Sequence, residues 1–384
     1  MDAIIQKIND SHRDYLGDES RRQGQAHWIA FPRNKSELGC VLKWTHTRKI
    51  PITIQGSRTN MMGLAVPHGG CIINLSQNKE IIEIEGQKPI IHVSAGVTLS
   101  EIYNNLWGIS QDGQPLFLPL NPTEGSATIG GVAATNAFGL LSEHYGDASE
   151  QIERVEIFTK SGEIKCLPGI QLAQGIRTGE VITEVWLRLV PLPEERWGIL
   201  FLFEERVSAV DFMESAEQKK VGESAHITAM EYMDREAICY GKQVQQQQEK
   251  RPLLKPEQNP GALVYLELHG RVSGVETLAE ELLEVFESQG GGENDALAFT
   301  GANEIEQVYA FRHGLVEGIN AALAQGKRVK NLWHWRNQNH SIRQIMEECD
   351  RFLEERKQQG IVYGNPRNLY MEIIESYQTQ GRLP

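Results

Sequence analysis

The sequence is short of cationic charge, of paired cysteines and of long apolar runs, and each shortage removes a class of function. Lys and Arg number 38 against 51 Asp and Glu, a formal net charge of −13. Nucleic-acid affinity comes mainly from cations meeting phosphates, so nucleic acid is excluded as a partner. The same balance argues against a polybasic membrane contact. Cysteine occurs only at Cys40, Cys71, Cys166, Cys239 and Cys349. No two make a CxxC pair, which signals neither an iron–sulfur cluster nor a zinc knuckle. Their odd number and irregular spacing fit reduced thiols, and the expectation is a cytoplasmic protein. Met1–Asp10 is polar and mixed, unlike a signal peptide. Nothing approaches the roughly 20 apolar residues of a membrane helix, so no integral membrane segment is expected. A Rossmann G-x-G-x-x-G after an early strand and a P-loop are both missing, and no solenoid repeat is found.

What remains is a chain of 384 residues with 40% hydrophobic content, enough for two domains or one large domain with an appendage. Residues 1–24 read as a helical lead-in, with Asp2 as a cap and Ile4, Ile5 and Ile8 near helical spacing. From His27 short units alternate. Strands are predicted at His27–Phe31, Pro51–Gln55, Cys71–Leu75, Ile90–Ser94, Arg154–Thr159 and Val181–Leu189. Asn34 or Ser36 can cap a helix through Lys43–His46, and Thr98 or Ser100 one through Leu106. The pair of prolines in Val190-Pro191-Leu192-Pro193 marks a domain boundary. Beyond it, strands Ile199–Phe203, Ala225–Tyr232 and Ala262–Leu268 alternate with helices, including Val275–Gln289. That rhythm suggests an antiparallel sheet with helices on one face.

Three segments of small residues stand out. The first is Pro51-Ile-Thr-Ile-Gln-Gly-Ser-Arg-Thr-Asn-Met-Met-Gly63-Leu-Ala-Val-Pro67. A strand enters a tight turn there, and successive backbone N–H groups can form a nest for a diphosphate. Gly56 lets backbone approach closely, Ser57 and Thr59 add hydroxyls, and Arg58 adds charge. Taken alone, Gly-Ser is also what an ordinary β-turn contains. The second segment is Pro119-Leu-Asn-Pro-Thr-Glu-Gly-Ser-Ala-Thr-Ile-Gly-Gly131, and the third is Ala133-Ala-Thr-Asn-Ala-Phe-Gly139 with Tyr145-Gly146 behind it. Such runs build little core, but they suit backbone pressed against a flat ring. The whole stretch Leu118–Gly146 is long for a loop in a compact domain, and loops of that length are often functional.

These segments resemble the flavin domain of the vanillyl-alcohol oxidase / p-cresol methylhydroxylase (PCMH-type) superfamily, in particular its D-lactate dehydrogenase and glycolate oxidase group. Gly56, Arg58, Thr59, Gly63, Ala65, Val66 and Pro67 match the family's first motif. Pro122, Thr123, Glu124, Ile129, Gly130, Gly131, Ala134, Thr135, Asn136, Ala137 and Gly139 match the later ones. The resemblance implies an α+β fold: a two-subdomain PCMH-type FAD-binding domain over residues 25–193, then an antiparallel-sheet cap over 194–345. Residues 346–384 would be a C-terminal helix and tail packing back on the flavin domain. It implies that Gly56, Ser57, Arg58, Thr59 and Asn60 cradle the pyrophosphate of FAD. Pro122, Thr123, Thr128, Gly130, Gly131, Asn136 and Gly139 would line the isoalloxazine and ribityl chain, and Val181 and Ile182 would touch it through backbone. Thr59 stands near the place of the histidine that binds flavin covalently in some relatives, so non-covalent FAD is expected.

By the same resemblance, Arg312 and Lys330 would hold the carboxylate of a small substrate in the cap. A guanidinium grips a carboxylate bidentately and a lysine adds a point charge. His313, His269 and Tyr370 are candidate proton acceptors. The chain departs from the family in three ways. Only Lys165–Glu180 connects two strands usually further apart, Glu180 replaces a usual glycine, and Asn365 and Tyr370 stand where the metal-binding histidines are expected. His334 and His340 are six apart, a poor spacing for one helical face, and no metal is expected. The expected activity is therefore an FAD-dependent dehydrogenase, taking hydride from a 2-hydroxy-acid-like substrate and passing electrons to an unnamed acceptor or partner subunit. The alternatives are a catalytically altered flavin subunit and a reductase of the cell-wall precursor type.

Overall fold

The structure is a computed structural model that describes residues 4–61, 63–84, 89–176, 179–219, 224–248, 252–255, 257–324, 332–334 and 343. The protein is α+β and divides into two compact units, Met1–Leu192 and Pro193–Pro384.

The first unit opens with β1 (Ile5–Lys7), β2 (Trp28–Ala30), α1 (Lys35–Thr47), β3 (Ile52–Gln55) and β4 (Cys71–Asn74). These strands form a sheet in the order β1-β2-β4-β3. Both β2 and β3 run parallel to β4, a pairing that needs a crossover, and α1 supplies it. Asn34 starts α1 by accepting the Glu37 amide on its side chain. Leu38, Val41 and Thr45, spaced three and four apart, form the face that α1 buries.

The chain continues through β5 (Ile81–Ile84), β6 (Ile90–Ser94), α2 (Leu99–Leu106), and the hairpin β7 (Ser110–Gln111) and β8 (Gln114–Phe117). The short helices α3 (Ile129–Ala134), α4 (Ser142–Tyr145) and α5 (Ala148–Gln151) follow, then β9 (Ile152–Phe158), β10 (Ile164–Pro168), β11 (Val181–Arg188) and β12 (Val190–Pro191). A five-stranded antiparallel sheet has the order β10-β9-β11-β6-β5. Alternate residues point to opposite faces of a strand. One face carries Ile91, Val93, Val155, Ile157, Val185 and Leu187 into a core shared with Leu99, Ile102, Ile129 and Val132. Ile129 is fully buried, and truncating such a side chain to Ala costs about 2–5 kcal/mol. Thr98 and Glu101 close a reciprocal capping box at the start of α2.

The helical lead-in expected over residues 1–24 is corrected by the structure. Ile5–Lys7 pairs as a strand with Trp28–Ala30, and Asp10–Leu16 is a 3-10 helix capped by Asn9. A short isolated helix gains little by itself, whereas the open edge of β2 offers ready hydrogen-bond partners to the same residues.

The second unit holds β13 (Glu195–Phe203), α6 (Arg206–Glu217), β14 (Ala225–Asp234), α7 (Arg235–Gln247), β15 (Ala262–Gly270), α8 (Val272–Ser288), β16 (Ala296–Phe299), α9 (Ala302–Ala324) and β17 (Leu332–His334). Its antiparallel sheet has the order β16-β13-β15-β14-β17. Ile199, Phe201, Phe203, Val264, Leu266 and Leu268 pack on one face against Phe212, Met213, Leu282 and Phe286 of α6 and α8. The alternate residues Glu231 and Glu267 meet Arg312 and Tyr309 of α9 on the other face. Helices thus cover both faces, not one as the strand–helix rhythm suggested. The rhythm reports alternation but not the side on which each helix lands. Lys330, Asn365, Tyr370, His340 and the tail over 346–384 lie outside the described residues.

Candidate functional site

The first small-residue turn is shaped by buried amide side chains. Gln55, almost fully buried, donates from Nε2 to the Tyr15 carbonyl at 2.9 Å and to the Ala65 carbonyl at 2.7 Å. Asn74 donates from Nδ2 to the Gly56 carbonyl at 3.0 Å. Both ends of the loop are therefore anchored from beneath. Within it Arg58 takes φ 63°, a left-handed conformation uncommon for a side chain of this size. The backbone amides of Gly56, Ser57, Arg58 and Thr59 meet no acceptor among the described residues. All four residues are only half-buried. A row of unsatisfied N–H groups in such a turn is a concavity suited to an anion.

The second segment is drawn against the first. A Cβ added at Gly56 would lie 1.8 Å from Thr128 Oγ1, so the two chains approach as closely as backbone and side chain can. Thr128 leads into α3, whose first amides are spent on protein. Ile129 donates to the Val97 carbonyl at 2.8 Å and Gly130 to the Ala95 carbonyl at 2.9 Å. Ala95 in turn donates to the Thr183 carbonyl at 2.9 Å, next to Val181 and Ile182. A Cβ at Gly130 would sit 2.7 Å from that of Ala95. Gly56, Thr128, Gly130 and the Val181–Thr183 strand are thereby brought into one neighbourhood. Val181 and Ile182 are buried as whole residues.

The third segment folds back on the second. A Cβ at Gly139 would lie 2.1 Å from the Asn121 carbonyl oxygen, and the Leu141 amide donates to Asn121 Oδ1 at 2.9 Å. This sets Pro122 beside Gly139. Asn136, at φ 43°, accepts the Ser149 amide at 2.8 Å and donates to Asp147 Oδ2 at 3.1 Å. Both polar ends of Asn136 thus hold its own loop in place. Pro122, Thr123, Gly131 and Asn60 belong to the same segments, and Asn60 Oδ1 accepts the Leu64 amide at 3.1 Å.

In the second unit Arg312 is buried and its Nε donates to both carboxylate oxygens of Glu231 at 2.8 Å. Glu231 is wholly buried, and burial pushes its carboxyl above the usual range while Arg312 works against that. His313, the next residue, is half-buried. His269 is almost inaccessible and lies with Nε2 2.8 Å from Glu267 Oε1. Glu267 also accepts the hydroxyls of Tyr265 at 2.9 Å and Tyr309 at 2.6 Å. Burial alone would raise the Glu267 carboxyl, but His269, Arg196 and Tyr309 hold it below its ordinary range. Burial keeps the His269 ring below its ordinary range despite Glu267. Buried against Glu267, this ring offers little surface to a substrate. Sequence reasoning missed Glu231 and Glu267. Their signal was a carboxylate at the centre of an apolar strand, which has to find a partner. A cavity of about 230 Å³ beside α8 is lined by Trp197, Ile199, Leu283 and Phe286 and holds none of the candidate residues.

Residues 26–167 match the family described as "FAD binding domain". A D-lactate dehydrogenase of Anaerostipes hadrus is 27% identical over 208 residues, which are 50% of this chain and 43% of that protein. The glycolate oxidase subunit GlcD of Bacillus subtilis (strain 168) is 27% identical over 190 residues, 46% of this chain and 39% of that protein. The chain spans less than half the length of these curated relatives. Among solved structures, an alkyldihydroxyacetonephosphate synthase superposes with a TM-score of 0.68 at 14% identity, covering 98% of this chain and 77% of that one. A p-cresol methylhydroxylase superposes with a TM-score of 0.60 at 16% identity, covering 82% and 68%. At such identities the likeness is one of fold. Among the described residues no helix is long and apolar enough to cross a membrane.

Proposed function

Starting from a chain whose residues 26–167 belong to the PCMH-type FAD binding domain family, with FAD as cofactor, we propose that it is a dehydrogenase that transfers hydride from a small 2-hydroxy-acid-like substrate to non-covalently bound FAD. The observation that carries the reading is the row of unsatisfied amides from Gly56 to Thr59, beside Thr128 and Gly130. Those amides, with Arg58, meet the diphosphate. The close packing of Gly130 on Ala95 and of Gly139 on Asn121 fixes the course of the main chain along which a flat ring would lie. Bound FAD supplies the hydride-accepting chemistry, and the protein supplies position. Thr59 lacks the imidazole that binds flavin covalently in some relatives. In the cap, Arg312 and Lys330 anchor the substrate carboxylate, and His313 takes the hydroxyl proton. The substrate class is supported by relatives named for lactate and glycolate. Electrons then leave to an acceptor or partner subunit in the cytoplasm.

A second reading has support of its own. Glu231 already engages Arg312, Glu267 already engages His269, and Asn365 and Tyr370 replace two histidines. Those features fit a flavin-binding subunit whose own turnover has been altered. Anaerobic mixing with D-lactate, glycolate or D-2-hydroxyglutarate separates the two. Bleaching of the flavin by one of them supports the dehydrogenase, and a spectrum unmoved by all three supports the altered subunit. NADPH oxidation instead would point to a reductase of the cell-wall precursor type. Acid precipitation of the same sample is expected to leave a colourless pellet and a yellow supernatant, and a yellow pellet would overturn the non-covalent reading.

A further inference from the structure

The segment ahead of the flavin motif is laced over the Gly56 turn. The Tyr15 carbonyl accepts Gln55 Nε2, the Glu19 amide donates to the Arg58 carbonyl at 3.2 Å, and Asp18 Oδ2 accepts the Ala65 amide at 3.1 Å. Gly24 packs so closely on Pro67 that a Cβ there would meet the Pro67 carbonyl oxygen at 2.0 Å. On top of this lacing, the Arg58 guanidinium lies 4.3 Å from the centre of the Tyr15 ring. The ring is itself fixed edge-on to Phe31, 5.1 Å away. Among the described residues Arg58 forms no ion pair, and its backbone is left-handed. A long, flexible side chain on such a backbone has many rotamers, and an aromatic face removes most of them.

We infer that Tyr15 is a positioning residue for the cofactor: its ring holds the Arg58 guanidinium over the loop whose free amides receive the FAD diphosphate. The proposal rests on the flavin reading of that loop. It does not follow from the motif, because Tyr15 lies outside residues 26–167. Tyr15 acts through Arg58, so its contribution to FAD binding should depend on Arg58 being present and on the charge that Arg58 carries.

The test is a double-mutant cycle on the full chain, with apoprotein titrated with FAD by flavin fluorescence at several ionic strengths. Tyr15→Leu keeps apolar bulk but removes the π face, and it should raise the FAD Kd on the order of fivefold. Tyr15→Phe should stay within about twofold of the wild-type chain. Arg58→Gln should weaken binding more than Tyr15→Leu does, and Tyr15→Leu should add less than about twofold on that background. The salt dependence of the Kd should flatten in Tyr15→Leu as it does in Arg58→Gln, because both blunt the same screened attraction. A purely structural strap predicts otherwise: Tyr15→Leu would weaken binding equally with or without Arg58 and would leave the salt dependence unchanged. That result, or a Tyr15→Phe variant as weak as Tyr15→Leu, overturns the proposal while leaving the flavin reading intact. Failure of the wild-type chain to bind FAD overturns both.

Discussion

Gly56→Ala is the sharpest perturbation of the site. The added methyl would be placed 1.8 Å from Thr128 Oγ1, 3.0 Å from its Cβ and 3.2 Å from its Cγ2, so the three nearest atoms all belong to one side chain. Real carbon–oxygen contacts do not fall below about 3 Å, and the strand end or Thr128 has to yield by more than an ångström. Thr128 is almost fully buried at the head of α3, which leaves it little room to turn away. Overpacking of this kind costs about 1–3 kcal/mol. At about 2 kcal/mol, the melting temperature of a unit of this size falls by roughly 4–8 °C. The displaced backbone carries the Gly56–Thr59 amides with it, so FAD affinity should fall by at least about tenfold, a loss of roughly 1.4 kcal/mol or more. Thermal melting of the apoprotein and flavin titration read the two effects separately. Because the closest contact is with Thr128 Oγ1, Gly56→Ala with Thr128→Ala should recover most of the melting temperature. A Gly56→Ala protein that melts with the wild-type chain and binds FAD equally well would refute the packing of these two segments.

Two further outcomes follow from buried charge. Arg312→Met, which strands the wholly buried Glu231, should cost about 3–5 kcal/mol in urea unfolding, whereas Arg312→Met combined with Glu231→Met should recover much of it. No recovery in the double variant would mean that the pair is not the main role of Arg312 in the fold. His92 and His269 are both held below the ordinary histidine range, chiefly by burial and against the pull of Glu184 and Glu267 respectively. The unfolded chain therefore takes up protons first. Stability should be complete above about pH 7 and fall as pH drops through about 6.5, by at most about 1.4 kcal/mol per pH unit for each ring. Urea midpoints at pH 7.5 and 5.5 check this, and His92→Gln should flatten the difference. A midpoint that rises on acidification would contradict the sign.

The parts of this structure that were legible in the sequence are those governed by local rules. Asn34 and Thr98 cap the helices their positions suggested, and Ile90–Ser94 is a strand with the bounds its pattern gives. The small-residue turns could be read because glycine and threonine at those places have few other uses. The long stretch Leu118–Gly146 could not be read so finely. Its helices α3 and α4 are six and four residues long, too short for a periodicity to declare itself, and they are held by tertiary bonds such as Gly130 to Ala95. The strand at Ile5–Lys7 exists because β2 has a free edge, which no local pattern announces. The same holds for Tyr15 on Arg58 and for Glu231 with Arg312, which are separated by 43 and 81 positions in the chain. Contacts of that span come from the assembled fold.

The central claim is that the turns at Gly56, Gly130 and Gly139 enclose one FAD. Titration of purified apoprotein with FAD, with AMP and riboflavin as separate competitors, tests it most directly. The account predicts saturation at one FAD per chain and a flavin absorption band that shifts on binding. It also predicts weaker competition by either half than by the whole dinucleotide. A folded chain that leaves FAD fluorescence and absorption unchanged at micromolar concentration would contradict it.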